Sequence, residues 1–173
     1  KKFSKYYMVS SFKINPLEVD DISIITDWSR MEGFTPGIGD LNIYRNTDRQ
    51  GLWVGWLNDI PIGCIAGIRY NSSYGFIGQF IVQEEFRGNG YGVELWKHAL
   101  DYLQPIPCIG LEAAPMRIKD YENWGFRISS TTTRWTWEGD DGFLVDKLYF
   151  EDDLQGLSVI DGVSLPSSLV QFY

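Results

Sequence analysis

Apolar and polar positions alternate with a period of two along several short runs, a pattern that predicts β-strands. Two of these runs, residues 51–57 and 62–70, flank the turn segment "NDIP" and together predict a hairpin. The run "FIGQFIV", residues 76–82, is mostly apolar on both faces, which predicts a central strand covered on both sides. We expect further strands within residues 1–14, 108–113 and 126–139.

A spacing of three to four residues between apolar positions predicts four helices. The first begins near Val19 and ends at Gly33, and Asp40 is suited to cap a short second helix over residues 41–47. Gly125 is expected to close a short helix over residues 117–125. The run 90–103 forms the remaining helix, whose apolar stripe contains Leu95, Trp96, Ala99, Leu100 and Leu103.

The predicted element order is β–α–α–β–β–β–α–β–α–β, with hairpins first and strand–helix–strand crossovers later. This order predicts an α/β fold with one mixed, mostly antiparallel central sheet flanked by helices. Residues 1–138 are expected to form one domain. Residues 139–173 are more acidic and lack an evident closing element, so we interpret them as a C-terminal extension or the start of a second domain.

Composition narrows the classes of function. The net charge of -8 argues against a general nucleic-acid binder, because phosphate neutralisation needs clustered Lys and Arg. The sequence has no apolar stretch long enough to span a membrane and no Cys/His cluster typical of a metal site. Cys64 and Cys108 lie inside apolar runs, which favours buried free thiols over a disulfide and thus a reducing, cytoplasmic location.

A glycine-rich turn joins the central strand to the third helix. It reads Arg87-Gly88-Asn89-Gly90-Tyr91-Gly92. The first turn of a helix leaves backbone N–H groups unpaired, and its dipole attracts negative charge, so such a turn favours a phosphate group. The turn has neither the Gly-Lys-Ser/Thr ending of a nucleotide phosphate loop nor the position of a dinucleotide fingerprint.

The segment "VQEEFRGNGYGVELW" resembles the acetyl-CoA motif of the GNAT family of N-acetyltransferases, in which Arg87, Gly90 and Gly92 match the family turn. "YENWGF", residues 121–126, resembles the later Y-x-x-x-G-F signature of the same family. The resemblance covers about residues 8–138. Within the family, the chain looks like the YitH-like subgroup. The resemblance implies an acyl-CoA N-acyltransferase fold.

The resemblance also implies a binding mode for acetyl-CoA as co-substrate. The backbone of Phe80, Ile81 and Val82 would pair with the pantetheine arm as an added strand does. The pyrophosphate would lie on the turn formed by Arg87, Gly88, Asn89, Gly90, Tyr91 and Gly92. The acceptor amine would attack the thioester directly, and Tyr121 would donate a proton to the leaving thiolate.

The residue that deprotonates the amine is harder to assign. Some family members use a glutamate near the start of the central strand, but here Tyr74 is near that position. Glu112, which follows the third helix, is our candidate base, and the acceptor-binding candidates are Glu32, Phe34 and Asp40. An acid beside an aromatic side chain favours a small primary amine as acceptor.

Two alternatives to a small-molecule N-acetyltransferase stay open. A protein or peptide N-acetyltransferase would use the same turn, and the acidic charge of the chain would attract basic tails. A non-catalytic acyl-CoA-binding sensor would keep the turn and lack the base. The sequence leaves the identity of the acceptor and the oligomeric state open.

Overall fold

A computed structural model describes residues 11–34 and 36–132. These residues divide into two compact units, one extending to Glu112 and the other beginning at Ala113. The strands are β1 Phe12–Pro16, β2 Leu52–Leu57, β3 Ile60–Arg69, β4 Tyr74–Val82 and β5 Cys108–Leu111. The helices are α1 Ile22–Met31, α2 Asp40–Thr47, α3 Tyr91–Leu103 and α4 Ile118–Asn123, and single 3-10 turns span Val19–Asp21, Glu84–Phe86 and Pro115–Arg117.

The first unit contains a five-stranded sheet in the order β1-β2-β3-β4-β5. The first four strands pair antiparallel, and β5 pairs parallel to β4. The mixed, mostly antiparallel sheet predicted from the sequence is therefore confirmed. The β2–β3 hairpin closes through Asn58 and Asp59, whose φ angles of 50° and 66° suit the two-residue turns that match strand twist.

Helices cover both faces of this sheet. On one face, Ile25 and Trp28 of α1 and Leu41 of α2 pack in a buried cluster with side chains from β2, β3 and β4. On the other face lies α3. A Cβ added to Gly75 would lie 2.9 Å from Leu103 of α3, so a larger residue there would push the helix away from the sheet. Leu95, Ala99 and Leu103 are fully buried, as predicted for the α3 stripe.

A β-bulge interrupts β4 and changes which side chains share a face. The register between β3 and β4 shifts between Cys64 and Ala66, and Gln79 has a φ of 47°. Gly75 faces α3, whereas Ile81 belongs to the cluster beneath α1 and α2. Uninterrupted alternation would have put these two residues on the same face, so the sequence pattern across this strand was misleading.

Other predictions also needed correction. Cys64 is a buried free thiol as expected, but Cys108 is exposed because it begins β5, an outer strand of the described sheet. The strand expected over 126–139 is absent from its described part, residues 126–132, where every residue after Phe126 is exposed. Strand propensity measures fit to a half-buried surface, and this polar stretch buries none. The predictions for residues 1–10 and 133–173 lie outside the described residues.

Candidate active site

The glycine-rich turn between β4 and α3 presents a row of free backbone donors. Gly88 and Gly90 have φ angles of +77° and +90°, a left-handed conformation that glycine adopts without strain, and Gly90 is the N-cap of α3. Among the described residues, no backbone hydrogen bond is donated by the N–H groups of residues 88–92. These donors and the positive end of the α3 dipole make the turn suited to bind an anion.

Arg87 is held at the edge of this turn by two partners. Its Nε donates to the carbonyl of Val82 at 2.7 Å, and its guanidinium forms an ion pair with Glu32, the residue that follows α1. Both side chains of the pair are about one-third exposed. The structure thus gives Glu32 a partner in the turn, whereas the sequence suggested a role in binding the acceptor.

The end of β4 lies against the beginning of α3. Phe80 packs on Trp96 with ring centroids 5.7 Å apart. A Cβ added to Gly92 would make an ordinary contact with Val82 at 3.4 Å, so the first turn of the helix packs directly against the strand. This packing fixes the turn relative to the strand that precedes it.

The same part of β4 has an open edge. Pairing between β4 and β5 ends at Ile77 and Leu111, and beyond it residues 78–82 have no strand partner on that side among the described residues. The predicted pantetheine-binding residues Phe80, Ile81 and Val82 lie in this open segment. An unpaired strand edge offers backbone donors and acceptors to an extended ligand.

Two of the predicted carboxylates act electrostatically on Tyr44, a tyrosine of α2. Asp40, the first residue of α2, accepts a hydrogen bond from the Gly37 N–H at 2.7 Å through one oxygen. Its other oxygen is buried, with no hydrogen bond in the described part of the chain. Burial raises the pKa of the Tyr44 phenol, and the nearby Tyr70, Asp40 and Glu112 raise it further. The two predicted carboxylates, Asp40 and Glu112, therefore share one neighbour, Tyr44.

Tyr44 was not singled out from the sequence. The available signal was its spacing, because residues four apart on a helix share a face and Asp40 lies four residues before it. Glu112 follows β5 and is exposed. Phe34, after α1, has 41% of its surface exposed.

Tyr121 lies in the second unit, on α4. Burial raises its pKa, while Arg117 lowers it and Asp120 raises it, so the phenol is protonated at neutral pH. The "YENWGF" signature, which begins at Tyr121, forms the C-terminal end of α4. Gly125 has a φ of +90°, and the Phe126 N–H donates to the Tyr121 carbonyl at 3.1 Å. The Phe126 ring packs edge-on against Tyr121, with centroids 6.4 Å apart.

An open cavity of about 470 Å³ lies at the opposite end of α3 from the turn. Its lining residues are Pro16, Arg49, Gln50, Trp53, His98, Asp101 and Tyr102. None of the predicted site residues lines this cavity, so we do not assign it to the co-substrate. Within residues 11–34 and 36–132 there is no cluster of His, Cys, Asp and Glu suited to a metal ion. No helix in the same ranges has the length and apolarity needed to cross a membrane.

Comparison with known proteins identifies relatives of this architecture. A curated relative, the holothin acyltransferase of Pseudoalteromonas sp. (strain SANK 73390), is 28% identical over 119 residues, which are 69% of this chain and 40% of the relative. The chain thus spans less than half the length of that protein.

Two solved structures illustrate the likeness in fold. Arabidopsis thaliana Naa50, in complex with the bisubstrate analogue CoA-Ac-MVNAL, has a TM-score of 0.59 and 21% identity, covering 76% of this chain and 93% of that one. Glucosamine-6-phosphate N-acetyltransferase from Arabidopsis thaliana has a TM-score of 0.56 and 17% identity, covering 74% and 99%.

The family comparison covers most of the described chain. The sequence profile described as the acetyltransferase (GNAT) family matches residues 22–126, a range that contains the glycine-rich turn, the open edge of β4 and the "YENWGF" signature. This chain belongs to the acetyltransferase (GNAT) family.

Proposed function

We propose that this protein is an N-acetyltransferase that moves the acetyl group of acetyl-CoA to a primary amine of a small molecule. The observation that carries the proposal is the row of free N–H donors at residues 88–92 beside the open edge of β4. An anion-binding turn next to an unpaired strand edge fits the two chemically different parts of CoA, its phosphates and its amide-containing arm.

In this proposal the pyrophosphate binds to the N–H groups of residues 88–92, and Arg87 adds a positive charge beside it. The pantetheine arm runs along Phe80, Ile81 and Val82 as an additional strand. The thioester then lies near the bulge, where the edge opens after Ile77.

The reaction needs two proton transfers. The acceptor ammonium loses a proton, its nitrogen forms a bond with the thioester carbon, and the carbon–sulfur bond breaks. Glu112 accepts the ammonium proton through water, because its side chain is exposed to solvent. The thiolate takes a proton from Tyr121, whose phenol is neutral and able to donate, and the phenol regains through water the proton that the nitrogen releases as the amide forms.

The acceptor class rests on the surroundings of Tyr44. A partly buried phenol and a buried carboxylate oxygen of Asp40 without a hydrogen bond in the described residues offer polar groups for one amino group of the acceptor. A peptide N-acetyltransferase is the second candidate, since one similar structure is a complex with the bisubstrate analogue CoA-Ac-MVNAL. A non-catalytic acyl-CoA sensor is the third.

The proposal also includes a subgroup within the family, the bounds of the domain and a cellular location. The YitH-like subgroup rests on the sequence resemblance alone. Residues 1–138 are proposed as the acetyltransferase domain and 139–173 as an extension. A cytoplasmic location is supported by the free thiols of Cys64 and Cys108.

The test combines acetyl-CoA binding with thiol release. The purified protein is titrated with acetyl-CoA by calorimetry and then incubated with a panel of small amines and a panel of peptides, alongside Tyr121→Phe. Thiol release with small amines, and slower release in Tyr121→Phe at equal acetyl-CoA affinity, supports the proposal. Release only with peptides would favour the second candidate, binding without release the sensor, and no binding would overturn all three.

A further inference from the structure

The hydroxyl of Tyr44 lies at the point where β4 opens. A Cβ added to Gly78 would be 3.6 Å from the Tyr44 oxygen. Gly78 follows Ile77, the last β4 residue paired with β5, and precedes the bulge residue Gln79. The phenol oxygen therefore lies beside the first residue of the unpaired edge.

The ring of Tyr44 is held in this position by packing. It lies on the inner face of α2, against the buried cluster that contains Leu41. No hydrogen bond in the described ranges uses the Tyr44 hydroxyl. A fixed ring with an unused hydroxyl is pre-organised to bind a polar group of a ligand.

The chemical groups around this hydroxyl are acidic or phenolic. Asp40 and Glu112 interact with it electrostatically, and so does Tyr70, all of which keep the phenol in its protonated form. The parallel register that pairs Leu111 with Ile77 brings Glu112 level with Gly78. Negative charges that act on a protonated phenol favour the binding of a cation there over that of an anion.

We propose that Tyr44 is a substrate-binding residue of the acceptor site, whose hydroxyl binds the acceptor amine beside Gly78. This inference rests on the proposed function and extends it to a substrate class. The site takes a primary amine without an anionic group next to the nitrogen. A carboxylate or phosphate at that position would be repelled by the negative charges of Asp40 and Glu112.

The first experiment compares Tyr44→Phe with wild type and with Tyr102→Phe. Both variants keep the aromatic ring and lose one hydroxyl, and Tyr102 lines the cavity at the other end of α3 from the turn. We expect Tyr44→Phe to raise KM for the acceptor about tenfold, because the acceptor ammonium loses a hydrogen bond. KM for acetyl-CoA and the melting temperature of Tyr44→Phe should stay close to wild type, and Tyr102→Phe should change neither KM by more than about twofold.

A second variant tests the same site without altering a ring. Asp40→Asn keeps the side-chain oxygen that accepts from Gly37 and removes the charge. We expect it to raise acceptor KM as well. Equal acceptor KM in wild type, Tyr44→Phe and Asp40→Asn would overturn the role of Tyr44.

The substrate class is tested with matched pairs of amines that differ only by an α-carboxylate, such as phenethylamine and phenylalanine. In each active pair, we expect the amine without the carboxylate to have a kcat/KM about tenfold higher or more. Asp40→Asn should reduce this ratio of kcat/KM values. Equal turnover of both members would overturn the class. Wild-type protein that binds acetyl-CoA yet acetylates no amine would instead overturn the proposed function, which separates the two failures.

Discussion

Arg87 forms an ion pair with Glu32, and this residue-scale contact lowers the positive charge beside the proposed CoA site. The pair is about one-third exposed, so solvent weakens it and the carboxylate remains a nearby negative charge. A pyrophosphate on the turn would compete with Glu32 for Arg87 and would be repelled by Glu32 itself. The acidic partner therefore reduces the affinity of the turn for anions.

Replacing Glu32 by Gln should tighten CoA binding. Removal of one charge near the phosphates is expected to contribute about 1 kcal/mol, or about fivefold in Kd, at low ionic strength. Calorimetric titration with CoA at two salt concentrations measures this, and the gain should shrink as salt rises. Asp27→Asn is the matched control, because Asp27 forms an exposed ion pair with Arg30 on the same helix. Weaker CoA binding by Glu32→Gln would mean that Glu32 mainly orients Arg87.

Gly90 offers a second residue-scale prediction. It is the N-cap of α3 with a φ of +90°, so Gly90→Ala forces a side chain into the left-handed region at a cost of about 1–2 kcal/mol. We expect lower stability and a CoA affinity reduced by about tenfold or more, because the turn must shift. Gly39→Ala is matched, since Gly39 is the left-handed N-cap of α2 with a φ of +80°.

In denaturant titrations both glycine variants should lose a similar amount of stability. Only Gly90→Ala should lose CoA affinity. Unchanged affinity in a folded Gly90→Ala protein would argue against the turn as the phosphate site.

At the residue scale, roles that depend on the local backbone conformation could be predicted from the sequence. Roles that depend on residues distant along the chain could not. Gly90 could be predicted because a strand-to-helix turn of this kind requires a positive φ. The partner of Glu32 could not, because Arg87 is 55 residues away along the chain. Tyr44 was overlooked for a similar reason, since its closeness to Gly78 arises only when α2 packs on the sheet.

At the scale of elements, hydrogen bonds of Gln79 link the β4 bulge to α1 and to β3. The buried Ser29 of α1 donates its hydroxyl hydrogen to the Gln79 side-chain oxygen at 2.6 Å, and the Ile25 carbonyl lies 2.8 Å from the same hydroxyl. The thiol of Cys64 in β3 donates to the Gln79 carbonyl at 3.1 Å. Helix and strand thus hold the backbone at the bulge, directly beside the proposed thioester position.

Ser29→Ala should loosen the bulge. We expect a loss of about 1–2 kcal/mol in unfolding free energy and a lower kcat, with little change in CoA affinity. Thr26→Val is the control, because the Thr26 hydroxyl donates to a carbonyl four residues earlier, that of Ile22, at 2.7 Å. Denaturant titration and steady-state kinetics measure both variants. Equal effects of the two substitutions on kcat would show that the contact with Gln79 contributes nothing to catalysis.

The elements differ in how well the sequence predicts them. Helix α3 is long and has one clear apolar stripe, so its bounds and its buried residues followed from spacing. The bulge in β4 lies at Gln79, which follows a glycine, and "FIGQFIV" was interpreted as one uninterrupted strand although glycine within a strand can mark a bulge. Residues 126–132 have β-branched side chains but do not form a strand, since propensity alone provides no partner.

At the scale of the whole molecule, the element order as far as α4 and the mixed sheet followed from the sequence because strand and helix periods alternate clearly along the chain. The pKa values of side chains depend on burial, which the spacing of residues in the sequence does not predict. Several tyrosines illustrate this. Burial raises the pKa of Tyr70 and of Tyr102 to about 12, and that of Tyr44 higher still. Hydrogen bonding to Asp48 contributes at Tyr102.

These shifts predict a loss of stability at alkaline pH. A tyrosine titrates near pH 10 in the unfolded chain, so above that pH the unfolded state releases protons that the folded state retains, and unfolding becomes more favourable up to about pH 12. The denaturant midpoint should therefore fall more steeply above pH 10 than between pH 8 and 9, with burial of the Cys64 thiol contributing a smaller loss that begins near pH 9. Tyr70→Phe should reduce the fall. Absorbance of tyrosinate measured at the same pH values should include these residues only as the protein unfolds, and their full ionisation in the native state near pH 10.5 would contradict the burial of their hydroxyls.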